Sequence, residues 1–291
     1  TYTPAPTGYE PFYISHYGRH GSRWMTADER YTEVVCVFDS LYQCSELTPL
    51  GVDVRERLHK VWEDARGCSG SITPLGERQH REIAERMYRN FPQVFRGGAF
   101  IDARSSTSLR CAMSMSYFTE RLKELNPALQ VNRRAYHRYM DYIAYTSPEG
   151  EKFASEKAPW RRGFREFEKK NVRPERLMAS LFVKPEAITD QDAMMRSLYW
   201  IAADMQNVEL DLSFYDIFEY EELVGVWKTV NARMYVCNAA APLNGGLMPR
   251  CAVPLLRNIL ESADAAIEKG TPAADLRFGH DTHLIRLLAL M

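Results

Sequence analysis

The chain is 291 residues long with 45% hydrophobic and 26% charged residues, the make-up of a globular protein with room for a large core. A formal net charge of −1 supplies no global basic field to attract nucleic acid, so an anionic ligand would have to be met by a local cluster. No apolar run approaches the ~20 residues of a membrane-spanning helix.

Residues 12–17 (FYISHY) predict a buried strand ending at Gly18, and the chemistry crowds in directly behind it. In YISHYGRHGSRW (residues 13–24), Arg19 and Arg23 flank His20, and Gly21 lets backbone approach a ligand closely. Guanidinium forks match phosphate oxygens, and a neutral imidazole between two of them is placed to attack phosphorus. Read alone, the stretch is either such a cradle or a solvated basic loop. His16 reads as a packed strand residue, and Trp24 as a candidate for the pocket mouth.

Helical periodicity follows in residues 50–66, where Leu50, Val54, Leu58, Val61 and Ala65 form one stripe. ELTPLG (46–51) and SITPLG (71–76) each put Thr-Pro ahead of a helix, with Thr as cap and Pro at the first helical position. AFIDAR (99–104) predicts a second core strand, and SSTS (105–108) turns it into a helix through Arg110, Ser114 and Phe118. There Arg110 is either a third guanidinium for the same phosphate or an ordinary exposed helix arginine. Met113 and Met115 read as helix packing.

From 127 to 243 the pattern turns helical and polar, punctuated by prolines at 148, 159, 174 and 185, and reads as a helical insertion. The expected organisation is a discontinuous α/β catalytic core, 1–126 and 244–291, around an insertion at 127–243. DLRFG (275–279) predicts a third strand, and HDTHLIRLLALM begins a helix in which the chain stops, so the core is expected to be C-terminally incomplete. Strand–turn–helix at three places implies a central mixed sheet flanked by helices, with ligands at the carboxyl ends of its strands.

All three chemically rich segments sit at such ends. In GHDTH (279–283), His280 is placed to donate to a phosphate oxygen and Asp281 to protonate a leaving alkoxide, unless Asp281 is only a helix cap. The helix dipole favours the ionised carboxylate and a bound phosphate dianion opposes it. The acid form is therefore expected mainly in the substrate complex at mildly acidic pH. His280 and His283 are three apart, but no H-E-x-x-H accompanies them, and the six cysteines (Cys36, Cys44, Cys68, Cys111, Cys237, Cys251) form no C-x-x-C pair. No metal or cofactor is expected. The even cysteine count suits disulfides in an oxidising compartment, and free thiols fit it equally.

Taken together, Arg19-His20-Gly21-Ser22-Arg23, Arg110 and His280-Asp281 resemble the histidine phosphatase superfamily in its acid phosphatase and phytase branch. SITPLGERQ (71–79) is similar to that branch's L-T-x-x-G-x-x-Q stretch, with Ile72 for the leucine. YISHYGRHGSRW, TPLGERQHREIAERM and WKTVNARMY (227–235) resemble the bacterial, Bacteroides-type multiple inositol polyphosphate phosphatases most closely. Their late motif is often H-A-E, whereas His280-Asp281-Thr282 here follows the wider acid phosphatases.

The resemblance implies a phosphoglycerate-mutase-like α/β core and a phosphohistidine intermediate. By it His20 is the nucleophile, Arg19, Arg23, Arg110 and His280 bind the reacting phosphate, and Asp281 is the proton donor. It also implies an inositol polyphosphate such as phytate as substrate and a periplasmic or secreted location with the signal peptide removed. The insertion would supply a basic substrate rim from Arg133, Arg134, Lys157, Arg161 and Arg162, with Arg165, Lys169 and Lys170 adding to its charge. A broad acid phosphatase, a mutase-like phosphotransferase and a catalytically dead anion-binding protein are the competing expectations.

Overall fold

The computed structural model describes residues 5–291. In chain order the described residues run β1 (Ile14–Arg19), α1 (Glu29–Gln43), α2 (Pro49–Ala65), α3 (Pro74–Asn90), β2 (Phe100–Ser105) and α4 (Leu109–Leu125). Then come β3 (Gln130–Arg134), α5 (Met140–Ile143), α6 (Pro148–Ala154), α7 (Arg161–Asn171), α8 (Glu175–Leu181) and α9 (Gln191–Asp204). α10 (Tyr220–Asn238), α11 (Leu247–Arg250), α12 (Val253–Lys269), β4 (Ala274–Gly279) and α13 (Asp281–Leu290) complete the order. The Thr-Pro starts behave as their chemistry dictates: Pro49 and Pro74 open α2 and α3, and Thr48 Oγ1 accepts the Gly51 N–H at 3.1 Å.

The chain divides into two compact units, one of residues 1–22, 74–155 and 235–291, the other of residues 23–73 and 156–234. In the first, the strands pair in the order β1-β4-β2-β3, and every pairing among the described residues is parallel. That corrects the expected mixed sheet. The side chains alternate across it. One face carries Ile14, His16, Ile101, Ala103, Leu276 and Phe278 against α3 and α4 through Met115, Phe118, Leu122 and Ala84.

The other face is polar. Register sets Asp102 beside Asp275 and Arg104 beside Arg277. Arg277 is fully buried and donates to Asn258 Oδ1 (2.8 Å), Ser15 Oγ (3.0 Å) and Ser262 Oγ (2.9 Å). Asp275 accepts from the Tyr13 hydroxyl at 2.8 Å, and Arg104 pairs with Asp102 and with Asp275 (3.3 Å). Parallel strands are ordinarily apolar on both faces. Here charge satisfies charge, because an unpaired buried ion would be far costlier.

The second unit is helical, built on Val34, Val35 and Phe38 of α1, Val54, Leu58 and Val61 of α2, and the apolar faces of α8 and α9. Phe38 and Phe182 meet at 5.1 Å between ring centres. The division differs from the expected insertion at 127–243. Residues 23–73 join the helical unit because the stripes of α1 and α2 are buried against Leu177, Leu181, Met195 and Leu198. Residues 127–155 stay with the sheet, which they extend by β3. The expected strand at 12–17 lies two residues later, at Ile14–Arg19. All six cysteines are free thiols. No helix among the described residues is long and apolar enough to cross a membrane.

Candidate active site

Three strand ends converge in the first unit. The ladder continues beyond the strands, with the His20 N–H donating to the Gly279 carbonyl (3.1 Å) and the Ser106 N–H to the Phe278 carbonyl (3.0 Å). α4, which follows β2, packs on the apolar face, whereas Leu287 of α13, which follows β4, packs with Tyr17 and Tyr142 on the other. Neighbouring strands that send their helices to opposite faces open a crevice at their carboxyl ends. Arg19, His20, Arg110, His280 and Asp281 all stand there.

His20 is buried, and its Nδ1 lies 2.8 Å from the Gly21 carbonyl oxygen. A carbonyl only accepts, so Nδ1 carries the proton and Nε2 keeps its lone pair. Burial, followed by the charges of Arg19, Arg110 and His280, pushes the imidazole down to about 4 against the opposing pull of the Gly21 bond. The ring is therefore neutral at ordinary pH.

The loop that carries it is fixed through its backbone. The Gly21 N–H donates to Ser114 Oγ (3.1 Å), which itself donates to the Arg110 carbonyl (2.8 Å). The Ser22 N–H donates to Gln79 Oε1 (2.9 Å), and His80 hydrogen-bonds the Arg19 backbone. A Cβ on Gly21 would lie 2.6 Å from the Gly76 carbonyl oxygen, so both glycines serve a close approach of the loop to α3. Gly76, Gln79 and His80 share one face of α3 by their spacing, which gives the SITPLGERQ stretch its physical meaning.

Arg110 occupies the first turn of α4, and its Nε is buried without a hydrogen-bond partner. The His280 ring stands edge-on to His20 at 5.7 Å, with Nε2 3.3 Å from Ser106 Oγ. Cys111 packs beneath it, Sγ 3.7 Å from Nε2, and donates to the Gly279 carbonyl at 3.2 Å. His280 is the N-cap residue of α13 and Asp281 its first helical residue, so the capping role considered for Asp281 falls away. Asp281 Oδ1 accepts the Thr282 N–H (2.8 Å), and Oδ2 pairs with Arg19 Nε (3.3 Å). Both partners of that pair are close to half exposed, so the cluster opens to solvent on their side.

The other expected site residues belong to the second unit or are engaged by other partners. Arg23 belongs to the second unit, bridged to Ile72, with Nη1 donating to the Trp24 carbonyl at 2.8 Å. Trp24 packs on that unit's core and donates to Asp64 Oδ2 (2.8 Å), a structural placement. Arg133 Nε donates to Thr119 Oγ1 (2.6 Å), and Arg134 pairs with Asp102 (3.3 Å). Arg161 is buried, stacked 4.3 Å over the Trp160 ring and paired with Glu156 (3.2 Å), which is not the setting of a rim cation. Lys157 and Arg162 are exposed. Residues that the motifs did not reveal include Tyr17, His80, Ser106, Cys111 and Ser114, whereas Gln79 closes the SITPLGERQ stretch. Among the described residues no three His, Cys, Asp or Glu side chains converge as a metal site.

The fold, a parallel sheet with flanking helices, is the one found in solved inositol polyphosphate phosphatases and phytases. The multiple inositol polyphosphate phosphatase of Bifidobacterium longum, solved with inositol hexasulfate, superposes with a TM-score of 0.80 at 16% identity over 98% of this chain and 76% of that one. Its phosphate complex gives 0.77 at 18% identity, over 98% and 75% of the two chains. The phytase of D. castellii gives 0.63 at 16% identity, over 94% and 60%. No family model and no curated protein matches the sequence.

Proposed function

We propose that the chain is a phosphomonoester hydrolase that works through a phosphohistidine on His20 and acts on inositol polyphosphates such as phytate. The observation that carries this reading is the state of the His20 ring: neutral, its proton held on Nδ1 by Gly21, its Nε2 free among Arg19, Arg110 and His280. The fold shared with an enzyme crystallised with inositol hexasulfate and with phosphate supports the substrate class.

In this scheme Nε2 attacks phosphorus, the P–N bond forms and the P–O bond to the alcohol breaks. Arg19, Arg110 and His280 hold the non-bridging oxygens. Protonated Asp281 gives its proton to the departing alkoxide. Its carboxylate then takes a proton from water, the water oxygen attacks phosphorus and the P–N bond breaks. Inorganic phosphate leaves, and His20 and Asp281 return to their starting states. An exported location belongs to the same proposal. So do a phosphate contact for Arg23, which rests on the motif alone, and contacts to remote phosphates for Lys157 and Arg162.

The test is phosphate release from phytate, a simple alkyl phosphate and p-nitrophenyl phosphate, with an alkaline rapid quench to trap an acid-labile phosphoenzyme. His20→Ala abolishes both; turnover that survives it removes the nucleophile assignment. Asp281→Asn harms the alkyl phosphate far more than the nitrophenyl ester, whose leaving group needs little protonation. Equal losses remove the general-acid role. Phosphate binding without turnover would leave an anion-binding protein, and transfer to a second hydroxyl a mutase-like one.

A further inference from the structure

We propose that Tyr17 is a positioning residue for the leaving-group acid, its hydroxyl setting the backbone at the β4–α13 junction and through it the placement of Asp281, while the His280 ring is held separately by Ser106 and Cys111. The proposal rests on the hydrolase reading and deepens it, because it assigns the two halves of the site to different supports.

Tyr17 projects from β1 to the polar face of the sheet, away from His16. Its hydroxyl donates to the Ile143 carbonyl at 2.9 Å and accepts the His280 N–H at 3.3 Å. Burial pushes the phenol above its usual range, so the hydroxyl keeps the proton that the Ile143 bond needs. A methyl on Gly279 would overlap the hydroxyl, which makes glycine a steric condition of this contact. The hydroxyl thus bears on the two residues at which the strand hands over to the helix, one step before Asp281.

The anchor on the far side of the hydroxyl is itself tied to α13. Arg286 of α13 donates through Nη1 to Thr146 Oγ1 at 2.7 Å. Residues 143–146 are therefore pinned to Tyr17 at one end and to α13 at the other. Loss of the hydroxyl releases the junction while leaving the helix docked. The geometry in question is fine: Asp281 meets Arg19 at 3.3 Å, and a misplacement of about 1 Å in a catalytic group lowers rate about 100-fold. His20 meets this junction through its N–H bond to the Gly279 carbonyl, while its ring and its loop are held by Gly21, Ser114 and α3.

Tyr17→Phe is therefore expected to lower kcat on an alkyl phosphate ~10-fold or more and on p-nitrophenyl phosphate less than ~3-fold, with KM nearly unchanged. In an Asp281→Asn background the same substitution should add no further loss on the alkyl ester, since the group it positions is already disabled. Equal losses on the two substrates, or a full extra loss in the Asp281→Asn background, overturn the proposal. So does a Tyr17→Phe chain that fails to fold, which would assign the hydroxyl to the core. A wild-type protein that hydrolyses none of these esters overturns the hydrolase reading itself, and is told apart by failing before any variant is made.

Discussion

Acidification from about pH 7 to about pH 5 is expected to destabilise the first unit through four buried histidines, His16, His20, His80 and His283, rather than through its carboxylates. His16 stacks on Phe118 and Phe278 (5.6 and 5.7 Å), and His80 stands against the same two rings (6.4 and 5.8 Å). His283 is buried on α13. Burial is the largest cause in each case and holds each imidazole at about 4. His80 further lowers His16, and Arg286 and His280 further lower His283. An unfolded chain protonates the same groups near 6.5. Between these values the unfolded state binds more protons, so stability is complete above about pH 6.5 and falls as pH drops towards about 4.

One such histidine loses roughly 2 kcal/mol by about pH 5, and four lose roughly 8. A domain's whole stability is only about 5–15 kcal/mol. Denaturant midpoints taken in small steps of pH measure the slope. His16→Phe, which keeps a ring in the cluster, should remove about a quarter of it. A midpoint that stays flat over this window, or a His16→Phe slope equal to that of the wild type, would refute the reasoning.

Arg277→Met should reduce stability by about 1–3 kcal/mol, because Asn258 Oδ1, Ser15 Oγ and Ser262 Oγ lose their donor while Asp275 keeps Tyr13 and Arg104; chemical denaturation measures it. Gly21→Ala should destabilise by about 1–3 kcal/mol and depress turnover, since the new methyl meets a helix carbonyl that cannot swing away, read from melting and kcat together. For the free enzyme, kcat/KM should rise with pH through about 4 as His20 becomes neutral, and a profile still rising well above that value would contradict the assignment.

The sequence carried the three strand–turn–helix units because glycine, proline and threonine mark their ends, and it carried Arg19, His20, Arg110, His280 and Asp281 because such chemistry seldom crowds by accident. β3 was not legible: QVNRR is short, polar and at the sheet edge, so no alternation of buried and exposed residues distinguishes it from the helices around it. The stripe of α2 announced a buried face without saying which partner buries it, and the partners turned out to be α1, α8 and α9.

The supporting residues stayed hidden for a related reason. Ser114, Gln79, His80 and Tyr17 act on the backbone of other segments, and no sequence pattern records which carbonyl or N–H a side chain will meet. Only Gln79 was marked beforehand, as the end of the SITPLGERQ stretch. Their arrangement has a mechanistic consequence. The nucleophile loop is held from the apolar side of the sheet by α3 and α4, and the His280–Asp281 junction from the polar side by Tyr17 and residues 143–146. Substitutions in one layer should therefore act on P–N bond formation, and those in the other on departure of the alcohol. A comparison of leaving groups of different basicity separates the two without a structure of either variant.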